Sequence, residues 1–118
     1  MKISIYGDRF MKSEIFEEVI KKKLSNHVIS FTKKDVEWPD GPFHNDYGKG
    51  HFSNIKEYFG NEDDVINTVK DNEILITDLA PITENIINKI PNLKFIGVSR
   101  GGPVNIDIEA CKKNNITV

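Results

Sequence analysis

Three short stretches of this sequence group residue types that could act on a small organic anion: Gly7-Asp8-Arg9, Thr77-Asp78-Leu79-Ala80-Pro81 and Ser99-Arg100-Gly101-Gly102-Pro103. The third is the richest. Adjacent glycines let a ligand approach the backbone and permit positive φ, and two successive N–H groups can turn together into a nest for an anion. Arg100 adds a fixed charge and a forked donor suited to a carboxylate. Pro103 stiffens the exit, and Asn105 or Asp107 can cap a following helix. A plainer alternative stands beside this: Gly-Gly also makes a tight strand-to-helix turn, with the arginine in solvent. The dinucleotide pattern G-x-G-x-x-G and the phosphate loop ending G-K-[ST] occur nowhere in the chain.

Each stretch follows an apolar run. Lys2 to Tyr6 reads as a first strand. Ser13 is placed to cap a helix whose apolar residues Ile15, Phe16, Val19, Ile20 and Leu24 share one face. A second strand is expected from His27 to Phe31. Periodicity stops over residues 37–53, where prolines, glycines and the aromatics Trp38, Phe43, Tyr47 and Phe52 suggest an ordered excursion, with a short helix at Asn54 to Phe59. Asn61 caps the next helix, whose buried face is Val65, Ile66 and Val69. Glu73 to Thr77 reads as a strand buried on both faces. Ile82, Ile86, Ile87 and Ile90 fall in helical register up to Pro91. Leu93 to Val98 is a strand, Ile106 to Lys113 a helix, and Ile116-Thr117-Val118 begins a further strand. This alternation implies an α/β three-layer sandwich on a five-stranded parallel sheet, its last strand truncated. Such sheets bind ligands at the carboxyl ends of their strands, where the three stretches lie. An apolar run left without a covering helix suggests a piece of a longer polypeptide.

A length of 118 residues suits one domain. The 16 basic and 18 acidic residues nearly balance, which gives no general drive toward nucleic acid or an acidic membrane. Lys21-Lys22-Lys23 suits a solvated helix end, where cations oppose the dipole. No run is long and apolar enough for a membrane helix, and the first residues do not form a signal peptide. The single cysteine, Cys111, excludes an internal disulfide and suits a reducing cytoplasm; packing is its expected role. His27 is expected at the surface or in packing. His44 and His51, with Asp40 and Asp46 nearby, match no known metal-ligand spacing, so no metal is expected. Asp78 could contact substrate or cap the helix after Pro81, and capping is the preferred expectation.

Residues 73–118 resemble the substrate-binding ("catalytic") domain of the D-isomer-specific 2-hydroxyacid dehydrogenases, a family that includes D-3-phosphoglycerate dehydrogenase. The likeness lies in Pro91 to Ile96, the Gly101-Gly102 turn, and Asn105-Ile106-Asp107 before a helix. Over residues 1–35 only the β-α-β layout agrees. The resemblance implies a flavodoxin-like domain whose glycine turn donates amides to the carboxylate of a 2-hydroxy or 2-oxo acid. Gly101 and Gly102 align with those donors, and Ser99, Arg100, Asp78 and Leu79 complete the candidate substrate set. Many members carry a small residue where Arg100 stands, so Arg100 either meets a second anionic group or braces the turn. The resemblance places NAD (or NADP), the catalytic residues and most contacts of a homodimer in a separate domain of the same polypeptide. None of the three histidines is then catalytic. Two other functions compete: a flavodoxin-like receiver with Asp78 as phosphoacceptor, and an independent binding module. A receiver needs an acidic pair after its first strand, whereas Asp8 is followed by Arg9. Calorimetry of residues 1–118 alone should show negligible NAD binding; a micromolar dissociation constant would contradict this assignment.

Overall fold

The alternation Ile3-Ser4-Ile5-Tyr6 sends side chains to opposite faces of one strand, and both faces are covered. This strand, β1 (Lys2–Asp8), lies inside the sheet of the computed structural model, which describes residues 1–38 and 46–118. The chain continues through α1 (Ser13–Lys23), β2 (Ser30–Val36), a 3-10 turn at Gly50–Phe52, α2 (Glu62–Val69), β3 (Ile74–Thr77), α3 (Glu84–Lys89), β4 (Phe95–Val98) and α4 (Ile108–Lys113). The four strands are parallel, in the order β2-β1-β3-β4. Thr117 bridges Phe95 in parallel on the far side of β4. The expected fifth strand is therefore a single bridge in the fifth place of a flavodoxin-like order.

Register decides which face carries the main core. Ser4, Leu75 and Ile96 lie side by side, as do Tyr6, Thr77 and Val98. Against this face pack Val65 and Val69 of α2, Ile86 and Ile87 of α3, and Ala110 and Cys111 of α4. Burying each large aliphatic of this set is worth about 1.5–3 kcal/mol. The opposite face carries Ile3, Ile5, Ile74, Ile76 and Phe95 and receives α1, which packs on β1 and β2.

That asymmetry corrects two expectations. Strand β3 is buried on one face only, with Ile74 and Ile76 half-exposed beyond the reach of α1. Nor does α1 bury one continuous apolar face. Ile15 and Val19 are 50% and 55% exposed, while Phe16, Ile20 and Leu24 are half-buried. The two i, i+4 rows diverge around the helix, and one of them faces solvent.

Several boundaries also move. Ser13 does not cap α1. Its N–H and hydroxyl donate to Asp35 Oδ1 (2.7 Å) and Oδ2 (2.9 Å), so a β2 carboxylate anchors the helix start. The second strand begins at Ser30 rather than His27, because pairing with β1 starts opposite Lys2, and Val28 is 93% exposed. No helix forms over residues 54–59. Glu57 stands at φ 53°, and Lys56 N–H and Phe59 N–H donate to Val104 O and Leu79 O instead of to an earlier turn. Asn61 caps α2 as expected, accepting from Asp64 N–H. Ile82 lies before α3 in a bridge to Ile106, and Asp107 caps α4 by accepting from Ala110 N–H. In the aromatic excursion Phe52 stacks on Tyr58 and Trp38 meets Phe10 edge-on. Asp40, Phe43 and His44 lie outside the described residues.

Thr77 joins the fold to the site. It is wholly buried; its hydroxyl donates to Tyr6 O at 2.8 Å and accepts from Ala80 N–H at 3.1 Å. Thr77→Val keeps the shape and strands two backbone groups, so chemical denaturation should show a loss of about 1–3 kcal/mol. A loss below about 0.5 kcal/mol would mean the hydroxyl is dispensable.

Candidate substrate-binding edge

The carboxyl ends of β1, β3 and β4 lie together, as a parallel sheet requires. At the β1 end, Asp8 is 1% exposed, and its Oδ1 accepts from Phe10 N–H and Met11 N–H, both at 2.8 Å. Its Oδ2 is buried and has no hydrogen-bond partner among the described residues. Behind it, a Cβ on Gly7 would lie 2.7 Å from both Met11 O and Ser13 N, so glycine is required there for close approach. The donors at the start of α1 are thus taken by the chain's own carboxylates, Asp8 and Asp35.

At the β3 end, the Asp78 carboxylate accepts from Ser99 Oγ at 3.1 Å. Burial, then the hydrogen bond and charge of Asp8, push the Asp78 carboxyl up to about 6, against the opposing pull of Ser99 and Arg100. The expected capping role falls elsewhere: Thr83 Oγ1 accepts from Ile86 N–H and caps α3. Leu79 is 5% exposed under the segment that bonds its carbonyl, so its side chain offers little surface to a ligand.

At the β4 end, Ser99 N–H donates to Thr77 O, and the chain then turns. Arg100 is neither in solvent nor unpaired. Its Nη2 donates to Glu57 Oε2 and its Nη1 to Glu57 O, both at 2.8 Å. One guanidinium holds both the side chain and the carbonyl of the residue in the left-handed region, where a non-glycine backbone costs of order 1 kcal/mol or more. Arg100 therefore braces the turn. Gly101 and Gly102 are exposed, and a Cβ on either would meet nothing within 4 Å. Neither adopts positive φ. The handed alternation of a true nest is absent, and the two amides stand as separate donors. No acceptor in the described chain is bonded to either amide. Crowding and handedness within the domain do not demand glycine at these positions.

A cavity of about 600 Å³ lies past the turn's exit, between Tyr47, Ser53 and Asn54 and the stretch from Pro103 to Glu109, and does not include the glycines. His51 hydrogen-bonds Glu62. Burial alone would raise the Glu62 carboxyl, but hydrogen bonds from Thr83, His51 and Asn85 outweigh it and hold it below its ordinary range. No grouping of three or more metal-ligating side chains occurs among the described residues, and no helix is long and apolar enough to cross a membrane.

A family model described as "D-isomer specific 2-hydroxyacid dehydrogenase, catalytic domain" matches residues 18–118. The chain belongs to this family. A curated relative, "Putative 2-hydroxyacid dehydrogenase YoaD" of Bacillus subtilis (strain 168), is 39% identical over 59 residues. That alignment covers 48% of the chain and 17% of the relative. Among solved structures, 3-phosphoglycerate dehydrogenase of Entamoeba histolytica superposes with a TM-score of 0.67 at 23% identity, over 98% of the chain and 31% of that protein. NAD-dependent formate dehydrogenase of Staphylococcus aureus gives 0.60 at 20% identity, over 100% of the chain and 30% of that protein. At these identities the likeness is one of fold. The receiver alternative is left without support: the match spans Asp78 and the whole glycine turn of the 2-hydroxyacid dehydrogenase domain.

The crowded carboxyls make a pH prediction. Asp78 in the folded protein holds its proton to about 6, above its ordinary 3.8, so the fold binds more protons than the unfolded chain between these values. Stability then falls as pH rises through that window, and the penalty is complete above it. Asp78→Asn should melt ~2–4 °C higher than the parent at pH 7.5, a modest gain because the group is partly solvated, and the gain should vanish by about pH 4. Melting curves at both pH values check this; an equal gain at both would mean the charge is irrelevant.

Proposed function

We propose that this chain is the substrate-binding half of a D-2-hydroxyacid dehydrogenase, and that Gly101 and Gly102 receive the carboxylate of a 2-hydroxy or 2-oxo acid. One observation carries the assignment: two neighbouring amides at a strand's carboxyl end, both without acceptors among the described residues, on residues whose missing side chains leave open space. Family membership supplies the acid's chemistry. The braced arginine supplies rigidity, because a turn held at Arg100 and Glu57 keeps its donors aimed before a ligand arrives.

A dinucleotide does not fit the residues present. The first strand-to-helix turn would be the place for its pyrophosphate, but that turn is already filled by the Asp8 and Asp35 carboxylates. We therefore place NAD or NADP, and the hydride step, in a part of the polypeptide outside residues 1–118. The role of this domain is to hold the acid by its carboxylate, orient its reacting carbon toward that neighbour, and help exclude water on closure. The whole protein is proposed to be cytoplasmic and homodimeric.

The test uses the complete polypeptide. Gly101→Ala and Gly102→Ala should leave the melting temperature unchanged or slightly raised, since the new methyl groups meet nothing and the unfolded chain loses entropy. The KM for a 2-oxo acid, followed by nicotinamide absorbance, should rise at least about tenfold, because each methyl group occupies the open space through which the carboxylate reaches the retained amides and weakens charge-assisted hydrogen bonding by about 1.5 kcal/mol. Unaltered KM in both variants would remove the carboxylate from this turn.

A further inference from the structure

We propose that the group next to the reacting carbon of the substrate is a neutral hydroxyl, selected by Asp78 and Ser99, and that acids carrying a phosphate or a second carboxylate there are rejected. This rests on the dehydrogenase assignment above and adds the class of acid. Ser99 precedes Gly101 by two residues, a reach of at most about 7 Å, close to the length of a short acid laid along the turn. A ligand whose carboxylate meets the Gly101 and Gly102 amides thus brings its next carbons toward the Ser99 hydroxyl and the Asp78 carboxyl it bonds.

The electrostatics at that point disfavour an anion. Asp78 is backed by Asp8, a 1% exposed carboxylate whose Oδ2 has no partner among the described residues, and the two groups lie within hydrogen-bonding reach when one is protonated. A phosphate or carboxylate arriving there would add a further negative charge to a crowded pair. The nearest compensating cation, Arg100, is committed twice to Glu57. Arg9 is turned over the ring of Phe10, 5.9 Å from its centroid. A hydroxyl suits the same place, since it donates to Asp78 and accepts from Ser99, using both sides of an existing donor–acceptor pair. Ser99 is exposed and Asp78 half-buried in this domain, with Asp8 buried behind them, so the discrimination is strongest once closure of the site removes water from the pair.

The experiment compares hydroxypyruvate with its 3-phosphate as substrates of the complete polypeptide, with pyruvate as a reference lacking both groups. The expected order of kcat/KM is hydroxypyruvate first, by at least about a hundredfold over the phosphorylated compound. In Asp78→Asn that ratio should narrow at least about tenfold. A parent enzyme that prefers the phosphorylated acid, or that uses pyruvate better than hydroxypyruvate, overturns this proposal and leaves the dehydrogenase assignment standing. So does a folded, active Asp78→Asn with the parent's ratio. If no 2-oxo acid is reduced, the dehydrogenase assignment falls and this proposal falls with it.

Discussion

Asn105 is wholly buried, and its side-chain amide spans the gap between two separate loops. Its Nδ2 donates to Ala80 O at 2.8 Å and to Asp78 O at 3.3 Å, while the main-chain carbonyl of Asn105 accepts from Ile82 N–H. The end of β3 and the turn after β4 are thereby fixed to each other. Removing that amide would leave the buried Ala80 carbonyl short of a donor, at a cost of order 1–3 kcal/mol, and the part-buried Asp78 carbonyl as well, at a smaller one. The functional consequence is larger. Donors on one loop and a carboxyl on the next hold a small acid in one pose only if their separation is constant to a fraction of an ångström. Arg100 extends the same scaffold outward, carrying the turn's position to Glu57 and the segment leading to α2.

Two kinds of strand end share this edge. At the end of β1 the exposed donors are quenched internally, by Asp8 on the following amides and by Asp35 on Ser13. At the end of β4 they are left open and backed by glycine. One edge thus carries a self-neutralised turn and a receptive turn, with the Asp78 carboxyl between them. In the proposed pose, negative charge behind the site and hydrogen-bond donors in front of it orient the acid with its carboxylate away from Asp78.

The sequence disclosed what depends on near neighbours. Strands, helix order and the cap at Asn61 follow from period and local hydrogen bonding, and the glycine turn is visible as a motif. Pairings made across the sheet were hidden. Glu57 lies in another loop from Arg100, and no spacing rule joins them, so the sequence alone leaves brace and substrate contact as equal alternatives. Asp35 displacing Ser13 as the anchor of α1 is the same kind of event. The start of β2 differs from the expected one because Val28 and Ile29 have strand-forming side chains, whereas pairing with β1 sets the true start at Ser30. The half-covered face of β3 was hidden because an apolar run reads alike whether one layer or two lie over it.

Cys111 carries a consequence of its own. Burial, and then the charge of Asp107, push its thiol up to about 11, and the side chain is 1% exposed. At neutral pH it is almost entirely protonated and held on the buried face of α4, so an alkylating reagent meets no thiolate in the native state. Any modification must therefore wait for α4 to lift from the sheet. As the chain's single cysteine, it is a built-in stopwatch for local opening at the helix that begins where the glycine turn ends.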